Sequence, residues 1–411
     1  LVQKQRTIVE ELFKEDKIKI LSSTPTLAAG VNLPASVVII PSIYRFARFG
    51  MEPISVREYK QQAGRAGRPK YREEGTAIIL AKTELEKEEL LEDYVNGNLE
   101  EITSKLGIEP ILRMHLLSLI ATRFITDLAS MEDFFSKTFY AKQYQELDEL
   151  FGKLSGLLKE LKEMQFIETT DKAFKATLLG KRVAELFIDP ITAHTFIQAL
   201  KGNKIGTELS YLFLLCDSFE LYPYPTVPAA KESLFWAELA EAKKQLFCDL
   251  DKKMYEDQEI VGKYFLTKTF LEWINETNEE VLMKDFKMQP GILRQKLQML
   301  DWLVYALLEL EKTLGLKVHF GALNNLRIRT KYGIREELLV LVQLKGIGRV
   351  RARQLFRNDF KILADLKNAE LTKLAQILGQ KIALSVKQQL GQEKDTVLKE
   401  IVQSQTSLDK F

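Results

Sequence analysis

The sequence predicts a multidomain chain in which a partial α/β unit is followed by mostly α domains. Three observations carry that prediction. Short β-branched apolar runs stand in the first hundred residues, at "KIKILS" (17–22), "SVVIIP" (36–41) and "GTAIIL" (75–80). From about Glu100 onward the apolar residues recur at helical spacing instead. The 411 residues, 46% hydrophobic and 28% charged, provide core material for roughly two to four domains.

The elements follow in order. "LVQKQRTIVEELFKED" at the start reads as an amphipathic helix. Each of the three runs has the composition of a strand buried on both faces of a parallel sheet. Three such strands lack edge pairing and helical cover, so residues 1–97 are expected to form the back half of an α/β domain. Within it, "VVIIPSIYRFARFGMEPISVREYK" (37–60) sets two β-type runs about a polar tip, Ala47 to Glu52, which predicts a hairpin. Residues 98–185 read helix, turn, helix, two short strands around Asp171, then helix, a winged-helix order. Breaks at "KGNKIG" (201–206), "YPYPTVP" (222–228) and "LGLKVHFG" (314–321) delimit a helical bundle over 186–320. A last helical unit occupies 321–392, with its helices starting near Tyr332, and 393–411 is a tail. No solenoid-period repeat or low-complexity segment is present.

Composition excludes some chemistry. Cys216 and Cys248 are the only cysteines, with His115, His194 and His319 the only histidines. A thiolate zinc site is therefore ruled out, a disulfide framework is not expected, and an intracellular compartment fits. No metal ligand set is assigned. No apolar run reaches membrane-spanning length. A formal net charge of +2 says nothing about nucleic acid, although its distribution can.

The first chemical signal is "EYKQQAGRAGRPKYREEG" (58–75). Arg65 and Arg68 stand three apart, the spacing of one helical face, among Gly64, Ala66 and Gly67. Two guanidinium forks with nothing bulky beside them suit an oxyanion such as phosphate. A solvated helix with a glycine-loosened end accounts for the stretch equally well. About thirty residues earlier, "SSTPTLAAGVNLPA" (22–35) crowds hydroxyls and glycine into the loop after a strand, the place where open α/β sheets bind ligands.

Together, "TPTLAAGVNLPA" and "QQAGRAGRP" resemble motifs V and VI of superfamily 2 helicases, specifically the Ski-like group. The resemblance implies the C-terminal half of the second RecA-like domain over 1–97, with Arg65 and Arg68 as arginine fingers on a γ-phosphoryl group and Gln61 beside them. It implies that Gly30 and Asn32 lie toward the nucleotide and that Thr24 touches a DNA phosphate. ATP and Mg²⁺ are the implied cofactors. Neither a G-x-x-x-x-G-K-[ST] loop nor an Asp-Glu-x-His box occurs in these 411 residues. The chain is therefore expected to be the C-terminal part of a helicase and to be inactive in ATP hydrolysis by itself. The hairpin resembles the duplex-splitting wedge of archaeal members, with Tyr44 and Phe46 as its aromatics. An edge hairpin packed on its own domain is the alternative.

Further along, "QPGILRQKLQMLDWLVYALLELEKTLG" (289–315) predicts a long helix, with Pro290 in its first turn and Gly315 at its end. Leu293, Leu297, Leu300, Val304 and Leu307 form one stripe. Trp302 falls opposite it, with Arg294, Gln295, Gln298 and Tyr305. The segment resembles the ratchet helix of archaeal Hjm-type repair helicases, which implies stacking of a translocating strand on Trp302 with Arg294 or Gln295 as polar partner. "LLVLVQLKGIGRVRARQLF" (338–356) resembles a helix-hairpin-helix motif. Gly346 and Gly348 would admit a phosphate to the backbone, and Arg349, Arg351 and Arg353 would follow it along the strand. Such units also serve as protein-docking modules.

The family resemblance covers essentially the whole chain. It implies an archaeal, cytoplasmic, nucleoid-associated DNA helicase of 3′ to 5′ polarity acting on single-stranded and forked DNA, monomeric, with replication-fork or recombination proteins as partners. The alternatives are an RNA helicase of the same group and a non-catalytic DNA-binding or scaffold chain. "GRPKYREEG" departs from the family, in which a shorter or more acidic loop is usual.

Overall fold

The computed structural model describes residues 3–24, 35–47, 50–67, 74–144, 147–170, 173–202 and 204–391. The chain divides into two units, Leu1–Thr103 and Ser104–Phe411.

In the first unit, strand Val37–Ile40 pairs in parallel with Thr76–Ile79, Val37 opposite Thr76. The expected strand at 17–22 is not one. Those residues follow the Gln3–Lys14 helix as unpaired backbone, and Ile20 is 88% exposed. The Lys17 and Ile18 N–H groups instead donate to the Leu12 carbonyl at the end of that helix. Between the parallel strands lies the expected hairpin, Tyr44–Ala47 against Gly50–Pro53. Ile43 and Ile54 anchor its base in a small core with Ile40, Tyr59, Leu90 and Tyr94. The Tyr94 hydroxyl donates to the Ile54 carbonyl at 2.9 Å. Ser55 caps the following helix, Val56–Ala63, by accepting from the Glu58 N–H.

The second unit is mostly helical. One continuous core runs from Leu112 to Leu326, so the expected boundary near 185 is not marked by a break in the core. Helices Glu109–Ala121, Leu128–Ser136 and Leu147–Glu163 precede an antiparallel pair, Ile167–Thr169 with Phe174–Ala176, and then helix Leu178–Leu186. Arg113, 2% exposed, joins this part to the next. Its Nε and Nη2 donate to both Asp189 carboxylate oxygens at 2.9 and 3.1 Å, and its Nη1 reaches Glu109 and Glu160 at 3.0 Å. Burial opposes that charge, but Asp189 and the two glutamates outweigh it and hold the Arg113 pKa above its usual value. Asp189 also caps the Pro190–Lys201 helix.

Helix Pro290–Thr313 occupies the middle of the bundle. Its leucine stripe is buried except for half-buried Leu297, and Leu303, Ala306, Leu308 and Leu310 are buried on other sides of the same helix. Gly315 follows at φ +71°, as expected of a helix end. Residues Ile334 to Val386 build a separate small core. No described helix is long and apolar enough to cross a membrane.

Candidate nucleic-acid interface

The first unit places Gln61 and Arg65 at the end of the Val56–Ala63 helix, Gln61 exposed and Arg65 half-buried. From there the backbone returns alongside Ala35. The Ala35 N–H donates to the Arg65 carbonyl, and the Gly67 N–H donates to the Ala35 carbonyl, both at 3.0 Å. The glycines of this stretch have a structural cause. Gly67 sits at φ +61°, and a Cβ on Gly75 would come within 2.1 Å of the Gly67 nitrogen. Two backbones touch where side chains would keep them apart. Arg68, Gly30 and Asn32 lie outside the described residues. Thr24 is described and exposed.

The hairpin register sets Tyr44 opposite Pro53 and Phe46 opposite Met51. Tyr44 is 51% and Met51 64% exposed. The Phe46 side chain lies outside the described residues. An ion pair from Arg45 to Glu58 at 2.7 Å ties the hairpin to the following helix. An aromatic and a thioether thus stand in solvent on a strand pair with an anchored base.

In the second unit, Arg294, Gln295 and Gln298 are exposed on the Pro290–Thr313 helix. Trp302 departs from expectation. It does not face away from the core but packs against it half-buried, and its Nε1 donates to the Leu186 carbonyl at 3.1 Å. The reason is the central position of its helix: the side opposite the leucine stripe faces the Leu178–Leu186 helix. The indole edge is committed there.

The Gly346–Gly348 hairpin is present. Gly346 takes φ +88°, Ile347 is 2% exposed, and nothing lies within 4 Å of where a Gly348 Cβ would stand. Helix Arg349–Arg357 starts directly after it. Of the three predicted arginines, only Arg351 is exposed, its Nη1 donating to the Gly346 carbonyl at 2.8 Å. Arg349 and Arg353 turn inward, which corrects the expectation that all three line an open face. Arg349 donates to the Thr277 carbonyl at 2.8 Å and lies over the Trp273 ring at 5.0 Å. Arg353 pairs with Glu276 and Glu337. Burial lowers the Arg349 pKa, whereas for Arg353 the two glutamates outweigh burial and raise it. Residues four apart share one helical face and the residue midway points elsewhere.

The structure also shows a feature that sequence reasoning missed. An open cleft of about 930 Å³ lies along the amino-terminal half of the Pro290–Thr313 helix, walled by Phe320–Tyr332 and reaching Trp273. Arg327 and Lys331, four apart on the second wall, were legible only as diffuse basic charge.

Known proteins match this layout. Residues 1–70 match the family described as Helicase conserved C-terminal domain, and residues 209–333 match Archaeal helicase, domain 4. The ATP-dependent DNA helicase Hel308 of Pyrococcus horikoshii is 39% identical over 407 residues, covering 97% of this chain and 56% of that protein. The chain belongs to the Hel308 family. Two further Hel308 proteins, from Pyrococcus abyssi and Methanocella arvoryzae, are 36% and 37% identical, each over 95% of this chain and 54% and 53% of their own length. The chain spans about half the length of the Hel308 relatives it matches. The match to the archaeal domain contains the Trp273, Arg294 and Trp302 helices and both walls of the cleft.

Proposed function

We infer that this chain is the strand-separating and strand-gripping part of an ATP-dependent 3′ to 5′ DNA helicase that works on forked or branched DNA. The observation that carries the reading is the hairpin: an antiparallel pair with exposed Tyr44 and Met51, set between two parallel strands in sequence and followed at once by the helix that bears Gln61 and the turn that bears Arg65. An anchored base with Tyr44 and Met51 exposed on its strands suits a wedge at a duplex end, where each unstacked base gains contact with an aromatic surface. Residues 98–185, with their short strand pair, fit a winged helix. The Pro290–Thr313 helix fits a ratchet, and the Gly346–Gly348 hairpin fits helix-hairpin-helix phosphate contact through Gly346, Gly348 and Arg351.

ATP would meet Gln61 and Arg65, an exposed amide and a guanidinium one turn apart, both able to donate to phosphate oxygens. ATP hydrolysis would supply the energy for strand movement. Among the described residues no group of three His, Cys, Asp or Glu could hold Mg²⁺, so no role in holding the ion is assigned to this chain. Thr24, exposed near the start of the same motif, would contact a DNA phosphate.

Joined to a nucleotide-binding half taken from a Hel308 relative, the chain should lose fork unwinding when residues 47–50 are replaced by a two-residue Asn-Gly turn. DNA-stimulated ATP hydrolysis should persist. Unwinding that continues unchanged on the shortened hairpin removes the wedge from the reading. Trp302→Ala should weaken single-strand affinity by about five- to a hundredfold, the range of base–aromatic stacking at 1–3 kcal/mol. Fluorescence anisotropy with a thymidine oligomer measures it, and an unchanged affinity with an unchanged melting point excludes Trp302 from the strand path.

A further inference from the structure

We propose that the cleft between the Pro290–Thr313 and Phe320–Tyr332 helices is a second single-strand site, taking a nucleotide of the strand by its phosphate and base edge. It is distinct from the side of the helix that bears Gln295 and Trp302. The inference rests on the DNA-binding reading above and adds to it a place and a chemistry. On a helix advancing ~100° per residue, Arg294, Leu297, Gln298 and Asp301 gather on one side, and Gln295 and Trp302 lie about a quarter turn away. The first group lines the cleft, and the second does not.

The charges of the cleft are unequal in their freedom. Arg327 holds both Asp301 carboxylate oxygens, at 2.7 and 3.0 Å, and lies 5.3 Å from the Tyr305 ring centre. That pair neutralises itself. Arg294 on one wall and Lys331 on the other are exposed, and neither makes a salt bridge to a described residue. Two cations without a carboxylate partner among the described residues thus face one space, Lys331 resting 5.4 Å from the Tyr332 ring centre, with Glu279 as the remaining acid at its edge. Asn324 donates its amide N–H to the Phe320 carbonyl at 3.1 Å, which leaves its carbonyl oxygen for a ligand. Gln298 brings a second, exposed amide. Leu293, Leu297 and Ile328 supply apolar lining. Cations for phosphate, amides for a base edge and an aliphatic surface for the ring face are the requirements of a nucleotide. The volume lies within the ~300–1,000 Å³ range of small-molecule sites. An acidic peptide would use the cations but leave the two amides without a purpose.

Binding of a thymidine oligomer to this chain, measured against salt concentration, tests the proposal. Each single-strand phosphate contact contributes about 0.7 to the salt slope. The two cations share that one phosphate, so the double variant Arg294→Gln, Lys331→Gln should lower the slope by about 0.7. Both residues are exposed, so folding should be retained. In the unaltered chain, the oligomer should shield Lys331 from an amine-reactive ester while leaving Lys361 reactive. A chain that binds the oligomer with an unaltered slope in the double variant, or with Lys331 unshielded, overturns this site and leaves the helicase reading standing. A chain that binds no oligomer at all overturns both. An aspartate-rich peptide that shields Lys331 where the oligomer does not also overturns it, in favour of a protein ligand.

Discussion

Replacing Arg65 with alanine is expected to lower ATP turnover by about 10³–10⁵-fold once this chain is joined to a relative's nucleotide-binding half. The size follows from what a guanidinium does at a transferring phosphoryl group. It meets charge that spreads over the equatorial oxygens only as the bond breaks, so its loss falls on turnover rather than on nucleotide affinity. The backbone of Arg65 is held independently of its side chain, through its carbonyl to the Ala35 N–H. Alanine there should leave the local fold intact, and a melting curve checks this. Lysine should restore little, because a point charge on a flexible stem does not reproduce a planar fork. The measurement is steady-state hydrolysis with saturating single-stranded DNA. Turnover within tenfold of the parent would remove Arg65 from the finger role and shift attention to Arg68, which lies outside the described residues.

The second large effect is on stability. Arg113→Ala should cost about 3–5 kcal/mol, read as a shift in the urea midpoint at constant slope. The reason is the partner left behind. The Asp189 side chain is 5% exposed and would lose both guanidinium donors while its charge stays buried. Glu160, at 45% exposure, can turn to solvent, so Glu160→Gln should cost under about 1 kcal/mol. The pair Arg113→Met with Asp189→Asn should recover most of the loss, since neither member then carries a buried charge and asparagine still caps a helix. A single variant that melts with the parent would show that the joint between the first helices and the bundle is held by packing alone.

Some of this was legible in the chain and some was not, for reasons that lie in particular residues. The hairpin was legible because its signal is local: alternation on both sides of a polar, glycine-bearing tip. The Pro290–Thr313 helix was legible in extent because proline and glycine punctuate both ends. The orientation of Trp302 was not, since periodicity on one helix reports which residues share a side but not how many neighbours that helix has. A helix packed on several sides has no solvent face at its middle. The 17–22 run failed because a β-branched composition is only half of a strand: pairing depends on a neighbour in space, and here the first two N–H groups go to the Leu12 carbonyl of the preceding helix. Arg349 and Arg353 could have been separated from Arg351 by spacing alone, yet which of the two faces was the buried one required Glu276 and Glu337, both distant in sequence or on another turn. The cleft was illegible because only one wall, with Leu293, Arg294, Leu297 and Gln298, belongs to a readable pattern, and nothing in the chain tells that Asn324, Arg327 and Lys331 of another helix stand opposite it.

The contact between Gly67 and Gly75 has a consequence for how this family can vary. It works as a clasp: the two ends of the intervening segment are held backbone to backbone, so whatever is spliced between them begins and finishes at the same point in space. Lengthening a closed loop is cheap, about 0.6 kcal/mol for each doubling. Relatives are thus free to diverge there in length and charge while the arginine-bearing turn and the adjoining parallel strand stay in register.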